Sequence, residues 1–368
     1  MIEESESSSF RILSIDGGGI LGAFVAGFLA GIEEQIDRPV GEYFDLIAGT
    51  STGGIIAAAL AFREPASRIE QFYRDRGPLI FQRREVILSS RWKRCARWLG
   101  RLSVDRVLGR VAPGIDCDYL LKSKYDGKAL RAALDEVFGN QLLGASKSRL
   151  LIPSIDLTDG KTKVFKTRHL PHLHIDYLIP VVDVLMATTA APTFFPHVQI
   201  QDGSAYIDGG LWANNPTMVG IVESIAVQQT CKRECDPNFD LRATSALSIG
   251  TGKLQHYIKP PADGAGGLWW TMGGRLVRTT MMTQAQGAYF QASYLLGDRL
   301  TRVDFDLPDS SWGLDSVELC REMIHRGRQR AAKELDLLRR TFFDRVAPQF
   351  TPFADEDRKT ADCNATTS

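Results

Sequence analysis

The sequence predicts an α/β fold built around a mostly parallel β-sheet. Short apolar runs at Arg11–Ile15 and Phe44–Ala48 each precede a glycine-rich turn and a helix-like run, at Leu21–Gln35 and Ile55–Phe62. Strands that alternate with helices are typical of βαβ units, which place parallel strands side by side. The pattern continues with strands predicted at residues 150–157, 163–167, 204–211 and 245–249, a hairpin turn at residues 159–160, and helices at residues 181–189, 218–229 and 315–345.

Composition and charge narrow the functional classes. The chain has 368 residues, of which 44% are apolar, enough for a large core. Lys plus Arg and Asp plus Glu number 44 each, which argues against a protein dedicated to nucleic acid polymers, because such proteins carry a basic excess. No apolar run approaches the roughly 20 residues of a membrane span.

The cysteines and the N-terminus favour a cytoplasmic protein. Six cysteines are scattered without a C-x-x-C pair, which predicts reduced thiols and no zinc site. Residues 1–9 are acidic and serine-rich and lack the basic and then apolar pattern of a secretory signal. We therefore expect a disordered lead-in there.

Two glycine-rich loops carry the strongest functional signal. One reads Asp16-Gly17-Gly18-Gly19-Ile20-Leu21-Gly22, and the other reads Gly49-Thr50-Ser51-Thr52-Gly53-Gly54. The second fits the nucleophile elbow Gly-x-Ser-x-Gly, in which Gly49 and Gly53 flank a tight turn that presents the oxygen of Ser51. The first supplies clustered backbone N–H groups at a helix start, where an oxyanion or phosphate is held. Together the loops predict an acyl-transfer site.

The first loop also admits a nucleotide-binding interpretation. Gly17, Gly19 and Gly22 have the G-x-G-x-x-G spacing, yet no acidic residue closes a second strand about 20 residues further on. The loop also lacks the Gly-Lys-Ser/Thr ending of a P-loop. The dinucleotide interpretation is therefore the weaker one.

Further blocks, in order along residues 10–252, give the chain a family resemblance. Both glycine loops take part, together with Ala187–Pro196, Asp208-Gly209-Gly210, Ala213–Pro216 and Leu247–Gly252. In this order the blocks resemble those of the patatin-like phospholipases. The resemblance implies a three-layer α/β/α fold, with residues 10–252 as the catalytic domain. One position departs from the family pattern: Leu21 stands where Arg or Lys usually precedes the last glycine of the loop.

The resemblance implies hydrolysis of acyl esters by a Ser–Asp dyad. Ser51 would be the nucleophile and Asp208 the base that takes its proton, with the amides of Gly17, Gly18 and Gly19 forming the oxyanion hole. Membrane phospholipid would be the substrate, and no cofactor or metal would be needed. The departure at Leu21 affects headgroup preference more than it affects the reaction.

Other roles for the polar residues remain open at this point. A Ser–Asp–His triad would draw on His256 or His325, although neither has a recognisable catalytic frame. His172 and His174 are two residues apart, so on a strand they would share one face and could bind a metal. A surface position for both is the simpler interpretation. Asp208 before two glycines is also typical of an ordinary turn.

A basic insertion at residues 90–110 is a candidate membrane contact. Within Arg91–Leu102, helical spacing places Trp92, Leu99 and Leu102 on one face and arginines on another. A basic, tryptophan-bearing amphipathic helix suits a bilayer surface. A surface helix packed on the core, with solvated arginines, fits the same pattern.

Residues 253–368 are predicted to be a lid or regulatory segment packed on the catalytic domain. Within Tyr257–Thr283, four side chains suit nucleotide binding, because aromatic faces stack on bases and guanidinium groups pair with phosphates; they are Trp269, Trp270, Arg275 and Arg278. A mobile apolar lid over the acyl pocket explains the segment equally well. The segment and the compact length also resemble bacterial antiphage effectors that cyclic dinucleotides switch on to degrade membrane lipid.

These observations predict a serine acyl hydrolase, most simply a phospholipase, that a cyclic dinucleotide activates in antiviral defence. We expect it to be cytoplasmic and to associate peripherally with the inner face of the membrane when active. The alternatives are a constitutive lipid acyl hydrolase and a catalytically silent lipid- or nucleotide-binding module. The sequence leaves open whether the chain forms a homodimer.

Overall fold

The computed structural model describes residues 9–82, 123–235, 244–254, 261, 264–271, 274–307 and 312–353. The strands are β1 (Phe10–Ile15), β2 (Leu46–Gly49), β3 (Arg149–Asp156), β4 (Lys161–Lys166), β5 (Val198–Gln199), β6 (Ala205–Asp208), β7 (Thr244–Ile249), β8 (Lys253–Leu254), β9 (Leu300–Val303) and β10 (Asp306–Leu307). The helices are α1 (Gly22–Glu33), α2 (Thr52–Ala61), α3 (Ala66–Ile80), α4 (Lys128–Phe138), α5 (Val181–Thr188), α6 (Gly210–Ala213), α7 (Thr217–Cys235), α8 (Gly267–Thr271), α9 (Arg275–Leu296) and α10 (Cys320–Thr341). The basic insertion at residues 90–110 lies outside the described residues.

The described strands form one large sheet and one small one. The large sheet has eight strands, in the order β5-β6-β3-β2-β1-β7-β9 with β4 also paired to β3. Its centre, from β3 through β9, is parallel, whereas β4, β5 and β6 run antiparallel to their neighbours. The mostly parallel sheet and the β3–β4 hairpin are therefore confirmed. The small sheet pairs β8 with β10 in parallel.

Helices cover both faces of the large sheet. Along β1, Leu13 and Ile15 belong to the core shared with α1, α2 and α10, whereas Ile12 belongs to the core shared with α7 and α9. All three side chains are fully buried, as expected for a parallel strand covered on both faces. The predicted three-layer α/β/α arrangement is confirmed.

The C-terminal helix α10 packs directly on α1. A Cβ atom on Gly27 would lie 2.8 Å from Cα of Ile324, and one on Gly327 would lie 2.7 Å from the backbone nitrogen of Phe28. The two backbones therefore touch without side chains between them. Residues after 253 thus contribute to the outer layer, while the domain boundary at residue 252 stays a prediction.

Strand β3 brings two distant strand ends together. β4 occupies one edge of β3, opposite residues 151–156. On the other edge, β2 pairs in parallel with residues 149–151, and β6 pairs antiparallel with residues 154–156. β2 and β6 therefore approach each other head to head along one edge of β3. The loop that follows β2 contains Ser51, and the last residue of β6 is Asp208.

Candidate active site

Ser51 occupies a tight turn between β2 and α2. Its φ is +54°, a conformation that costs a non-glycine residue energy and that persists only when the surroundings impose it. The flanking glycines explain how the turn closes. A Cβ atom on Gly49 would overlap the carbonyl oxygen of Gly53, and one on Gly53 would lie 2.6 Å from the carbonyl oxygen of Asp16. Both predicted elbow glycines therefore lie where a side chain does not fit.

A short hydrogen bond joins the two predicted catalytic side chains. Ser51 Oγ donates to Asp208 Oδ2 at 2.6 Å. The other carboxylate oxygen, Oδ1, accepts from the Gly210 amide at 2.7 Å. Asp208 is 1% exposed, and this burial raises the pKa of its carboxyl to about 7, because the loss of hydration outweighs the hydrogen bonds from Ser51 and Gly210. The arrangement places a base of near-neutral pKa against a serine hydroxyl.

Thr188 fixes the position of the Ser51 turn, a role that no local sequence pattern predicts. Its Oγ1 accepts the Ser51 N–H at 3.0 Å and donates to the carbonyl oxygen of Pro153 at 2.5 Å. The hydroxyl therefore connects the elbow to β3, the strand that also positions Asp208. Thr188 belongs to the block Ala187–Pro196 that contributed to the family resemblance, so its position in that block was the available signal.

Two amides of the glycine loop have no protein acceptor among the described residues. The Gly17 N–H donates to the carbonyl oxygen of Asn214 at 3.0 Å, so the Gly18 and Gly19 amides stay the predicted oxyanion donors of this loop. Within the described part of the chain, the Gly18 and Gly19 amides donate no hydrogen bond. Gly19 has a φ of +57°, and the next amide, of Ile20, donates to the carbonyl oxygen of Leu314 at 2.8 Å.

A buried ion pair anchors the start of this loop. Asp16, the residue after β1, accepts from Arg302 at 3.0 Å through Oδ1 and at 2.6 Å through Oδ2. Arg302 also donates to Ser248 Oγ at 2.8 Å and to Asp304 at 2.6 Å. Burial raises the pKa of Asp16 to about 6, against the attraction of Arg302. Sequence reasoning missed Arg302, because a partner 286 residues away leaves no local signal.

Apolar side chains surround a narrow cavity beside Ser51 and Asp208. Six of its lining residues are Phe72, Ile80, Phe81, Leu130, Phe194 and Phe195. The cavity measures about 50 Å³, which is room for a few waters but not for a fatty acyl chain. The side chains suit a fatty acyl group, while the volume is too small to hold one.

Within the part of the chain that the structure describes, the site contains no histidine. Among the described residues, no histidine lines the cavity beside Ser51, and His325 lies on α10, where it contacts Gln329. His256 is outside the described residues. In the described part of the chain no group of three or more metal-ligating side chains occurs.

Of the four predicted nucleotide-binding residues, Arg278 alone lines the wide cavity described below. The Arg275 guanidinium lies 4.9 Å from the centre of the Trp269 ring, and Trp269 packs edge to face on Trp270. Arg278 instead donates to the carbonyl oxygen of Trp312 at 2.8 Å and lines a second, wider cavity. Leu21, which departs from the family pattern, is buried and lines this second cavity as well.

The candidate membrane helix Arg91–Leu102 lies outside the described residues. Within the helices that the structure does describe, none combines the length and the apolar character needed to cross a bilayer.

Comparison with known proteins agrees with the fold. The family model described as patatin-like phospholipase matches residues 13–221. A Vibrio cholerae serotype O1 protein named cGAMP-activated phospholipase is 32% identical over 354 residues, covering 90% of this chain and 93% of that protein. An Escherichia coli protein of the same name is 31% identical, covering 74% of this chain and 71% of the relative. Patatin-like protein 2 of Oryza sativa subsp. indica is 30% identical, and the match covers 66% of this chain and 60% of that protein.

The family match spans more than half of the chain, and the Vibrio cholerae protein is similar over nearly its whole length. The chain belongs to the patatin-like phospholipase family and is a lipid acyl hydrolase.

Proposed function

We propose that this phospholipase cleaves fatty acyl esters of membrane phospholipids through a Ser51–Asp208 dyad, and that a cyclic dinucleotide switches the activity on in antiviral defence. The observation that carries the catalytic part is the 2.6 Å hydrogen bond from Ser51 Oγ to a buried carboxylate. A serine hydroxyl is a weak nucleophile until a base takes its proton. Asp208 is the base within reach.

The reaction follows from the positions of these groups. Ser51 Oγ attacks the ester carbonyl carbon while Asp208 takes the hydroxyl proton, and the carbonyl oxygen becomes an oxyanion at the Gly18 and Gly19 amides. Collapse of this intermediate breaks the bond to the alcohol, which leaves with the proton from Asp208. Water then attacks the acyl-serine with Asp208 again as base, releasing the fatty acid and restoring Ser51.

Two features of the scaffold favour this chemistry. Helix α2 begins at Thr52, so the positive end of its dipole lies at the nucleophile. The apolar walls of the narrow cavity suit an acyl chain, which is the part of a phospholipid that must lie next to Ser51. Contact with the membrane surface through residues 91–102, and a homodimer, stay proposals for experiment.

The names of the relatives support the regulatory part. The proteins from Vibrio cholerae and Escherichia coli are both named cGAMP-activated phospholipases. The plant relative carries no such word in its name. A cyclic dinucleotide is therefore the first class of activator to test.

The pH dependence of the reaction should follow the Asp208 carboxyl. A base acts only when deprotonated, and the pKa of Asp208 is raised to about 7. We expect kcat/KM for an uncharged short-chain ester to rise about tenfold per pH unit below pH 7 and to level off above it. A profile that is flat from pH 5.5 to 8, in protein that stays folded over that range, would contradict the role of Asp208.

The experiment that tests the proposed function is fatty acid release from phospholipid vesicles, with and without cGAMP and other cyclic dinucleotides. Activity that requires one nucleotide and is lost in Ser51→Ala would support both parts. Ser67→Ala, on the exposed surface of α3, is the matched serine control and should behave as wild type. Nucleotide-independent activity would support the constitutive alternative. If the wild-type protein hydrolysed no ester under any condition, the catalytic part of the proposal would be contradicted.

A further inference from the structure

A second cavity lies beside the glycine loop, across a thin wall from Ser51. It measures about 840 Å³, within the 300–1,000 Å³ range of sites that bind small molecules. Helix α9 forms one side of it, and residues of the β8–β10 pair form another. Gly17 and Gly18 line its base. The wide cavity is therefore large enough for a dinucleotide and directly adjacent to the proposed oxyanion donors.

The lining of the wide cavity combines cations with aromatic faces. Arg278 and Lys253 contribute positive charge, as does Arg330, which also pairs with Glu334 at 2.8 Å. Tyr289, Phe290 and Trp312 contribute rings. Phe290 is 51% exposed, so its face is open to a ligand. Three carboxylates also line the cavity, and these already pair with cations: Asp16 and Asp304 with Arg302, and Asp306 with Lys253. The cationic side chains suit phosphate groups, and the aromatic rings suit nucleotide bases.

Two residues separate the wide cavity from the narrow one. Met281 and Leu314 line both. Leu314 belongs to a short segment, residues 312–316, that we call the strap. Its Leu314 carbonyl accepts the Ile20 N–H at 2.8 Å, and its Trp312 carbonyl accepts from Arg278 at 2.8 Å. The strap therefore contacts the glycine loop at one point and a cation of the wide cavity at another.

The far end of the strap is held by Lys124 and Tyr125, which line neither cavity. Asp315 accepts from the Tyr125 hydroxyl at 2.5 Å and pairs with Lys124. Arg326 of α10 lies 5.1 Å from the centre of the Trp312 ring. With these contacts in place the cavity beside Ser51 stays at about 50 Å³. An acyl chain enters only if part of this wall moves.

We propose that the wide cavity binds the activating cyclic dinucleotide, with its phosphodiester groups at Arg278 and its bases on the aromatic faces, and that binding draws the strap away from the narrow cavity. A phosphate at Arg278 competes with the Trp312 carbonyl for the guanidinium. The movement of Leu314 then opens space next to Ser51. This inference rests on the proposed function, because it names where that function is regulated.

A phospholipid headgroup also contains a phosphodiester, so the test separates a nucleotide from a headgroup. Gln286 lines the wide cavity on α9, and Gln291 is exposed on the same helix away from it. In full-length Ser51→Ala protein without lipid, calorimetry should show that Gln286→Trp weakens cGAMP binding at least tenfold. Gln291→Trp, the matched control, should leave the affinity unchanged. In the Ser51 background only Gln286→Trp should lose activation by cGAMP, while Gln291→Trp should keep both the wild-type activation and the wild-type basal hydrolysis of a short-chain ester.

Loosening the strap provides an independent readout. Asp315→Ala removes the contacts with Lys124 and Tyr125 without altering a residue of either cavity. It should raise nucleotide-free ester hydrolysis severalfold and, because coupling between sites is reciprocal, tighten cGAMP binding by a similar factor. Asp336→Ala, an exposed position on α10, should change neither quantity.

The outcomes distinguish this inference from the proposed function. If wild type is activated by cGAMP and Gln286→Trp is activated equally, the site lies elsewhere and the inference is overturned while the function stands. If glycerophosphoethanolamine displaces cGAMP, or Gln286→Trp raises only the KM for phospholipid, the wide cavity is a headgroup site and the inference is again overturned. If no cyclic dinucleotide binds or activates the wild type, the proposed regulation itself fails before any variant is made.

Discussion

Asp208→Asn should lower kcat/KM for phospholipid and for short-chain esters by about 10⁴-fold or more. An amide keeps the size of the carboxylate and its acceptor oxygen for Gly210, but it cannot take a proton from Ser51. The assay is fatty acid release under the conditions that activate wild type. Asp159→Asn, in the exposed β3–β4 turn, should retain full activity. A residual rate above one tenth of wild type would mean that another group acts as base.

The same variant should be more stable than wild type at alkaline pH. The folded-state pKa of Asp208 is raised to about 7 from 3.8. The native state therefore holds the proton more tightly than the unfolded chain between about pH 4 and pH 7. The stability linked to this proton is present below pH 4 and is lost as the pH rises through 7. Above pH 7 the asparagine removes a buried charge, so thermal unfolding at pH 8 should occur at a higher temperature. Inactivity together with this added stability would separate a missing base from a misfolded protein.

Gly18→Ala should lower kcat by about 10² to 10³-fold while leaving the chain folded. A Cβ atom there would overlap Oγ1 and Cβ of Thr251, and relief of that overlap moves the loop. The Thr251 hydroxyl also donates to the Gly17 carbonyl at 2.7 Å, so the displacement passes to the neighbouring residue. An oxyanion hole works only when its donors are already in position, which is why a small shift has a large effect on kcat.

The matched control for this substitution is Gly287→Ala. A Cβ atom at position 287, within α9, meets nothing within 4 Å, and alanine is the better helix former there. This variant should keep full activity and gain slightly in stability. Equal kcat values for Gly18→Ala and wild type would place the oxyanion donors outside the glycine loop.

Local motifs made the elbow and the parallel part of the sheet predictable. The elbow pattern depends on residues 49–53 alone, and the alternation of strands and helices is visible in a window of about 30 residues. Asp208 was found by its family block rather than by any pattern that shows what it contacts. Its meeting with Ser51 depends on the antiparallel strand β6, whose partner is fixed by tertiary packing, and a single sequence does not show that.

Helix α9 was missed for a different reason. Tyr257–Thr283 was interpreted as a lid or a nucleotide-binding segment rather than as the start of a helix. Five apolar residues nevertheless repeat at helical spacing there and beyond: Val277, Met281, Ala288, Ala292 and Leu296. Small residues in this series weakened the signal. Arg278 was proposed as a nucleotide contact together with Trp269, Trp270 and Arg275. Only the helix shows that Arg278 faces a cavity that the other three do not line.

The meeting of β2 and β6 along one edge of β3 makes strand register a condition for catalysis. No covalent link and no direct strand pairing joins the two described strands that position Ser51 and Asp208; their shared neighbour is β3. A slip of one residue between β6 and β3 would move Asp208 by about 3.3 Å and turn its side chain to the other face of the sheet. Slow hydrogen–deuterium exchange at the backbone amides of β3 would therefore indicate that Ser51 Oγ and Asp208 are held at hydrogen-bonding distance. Insertions within this strand should abolish activity even where the protein remains folded.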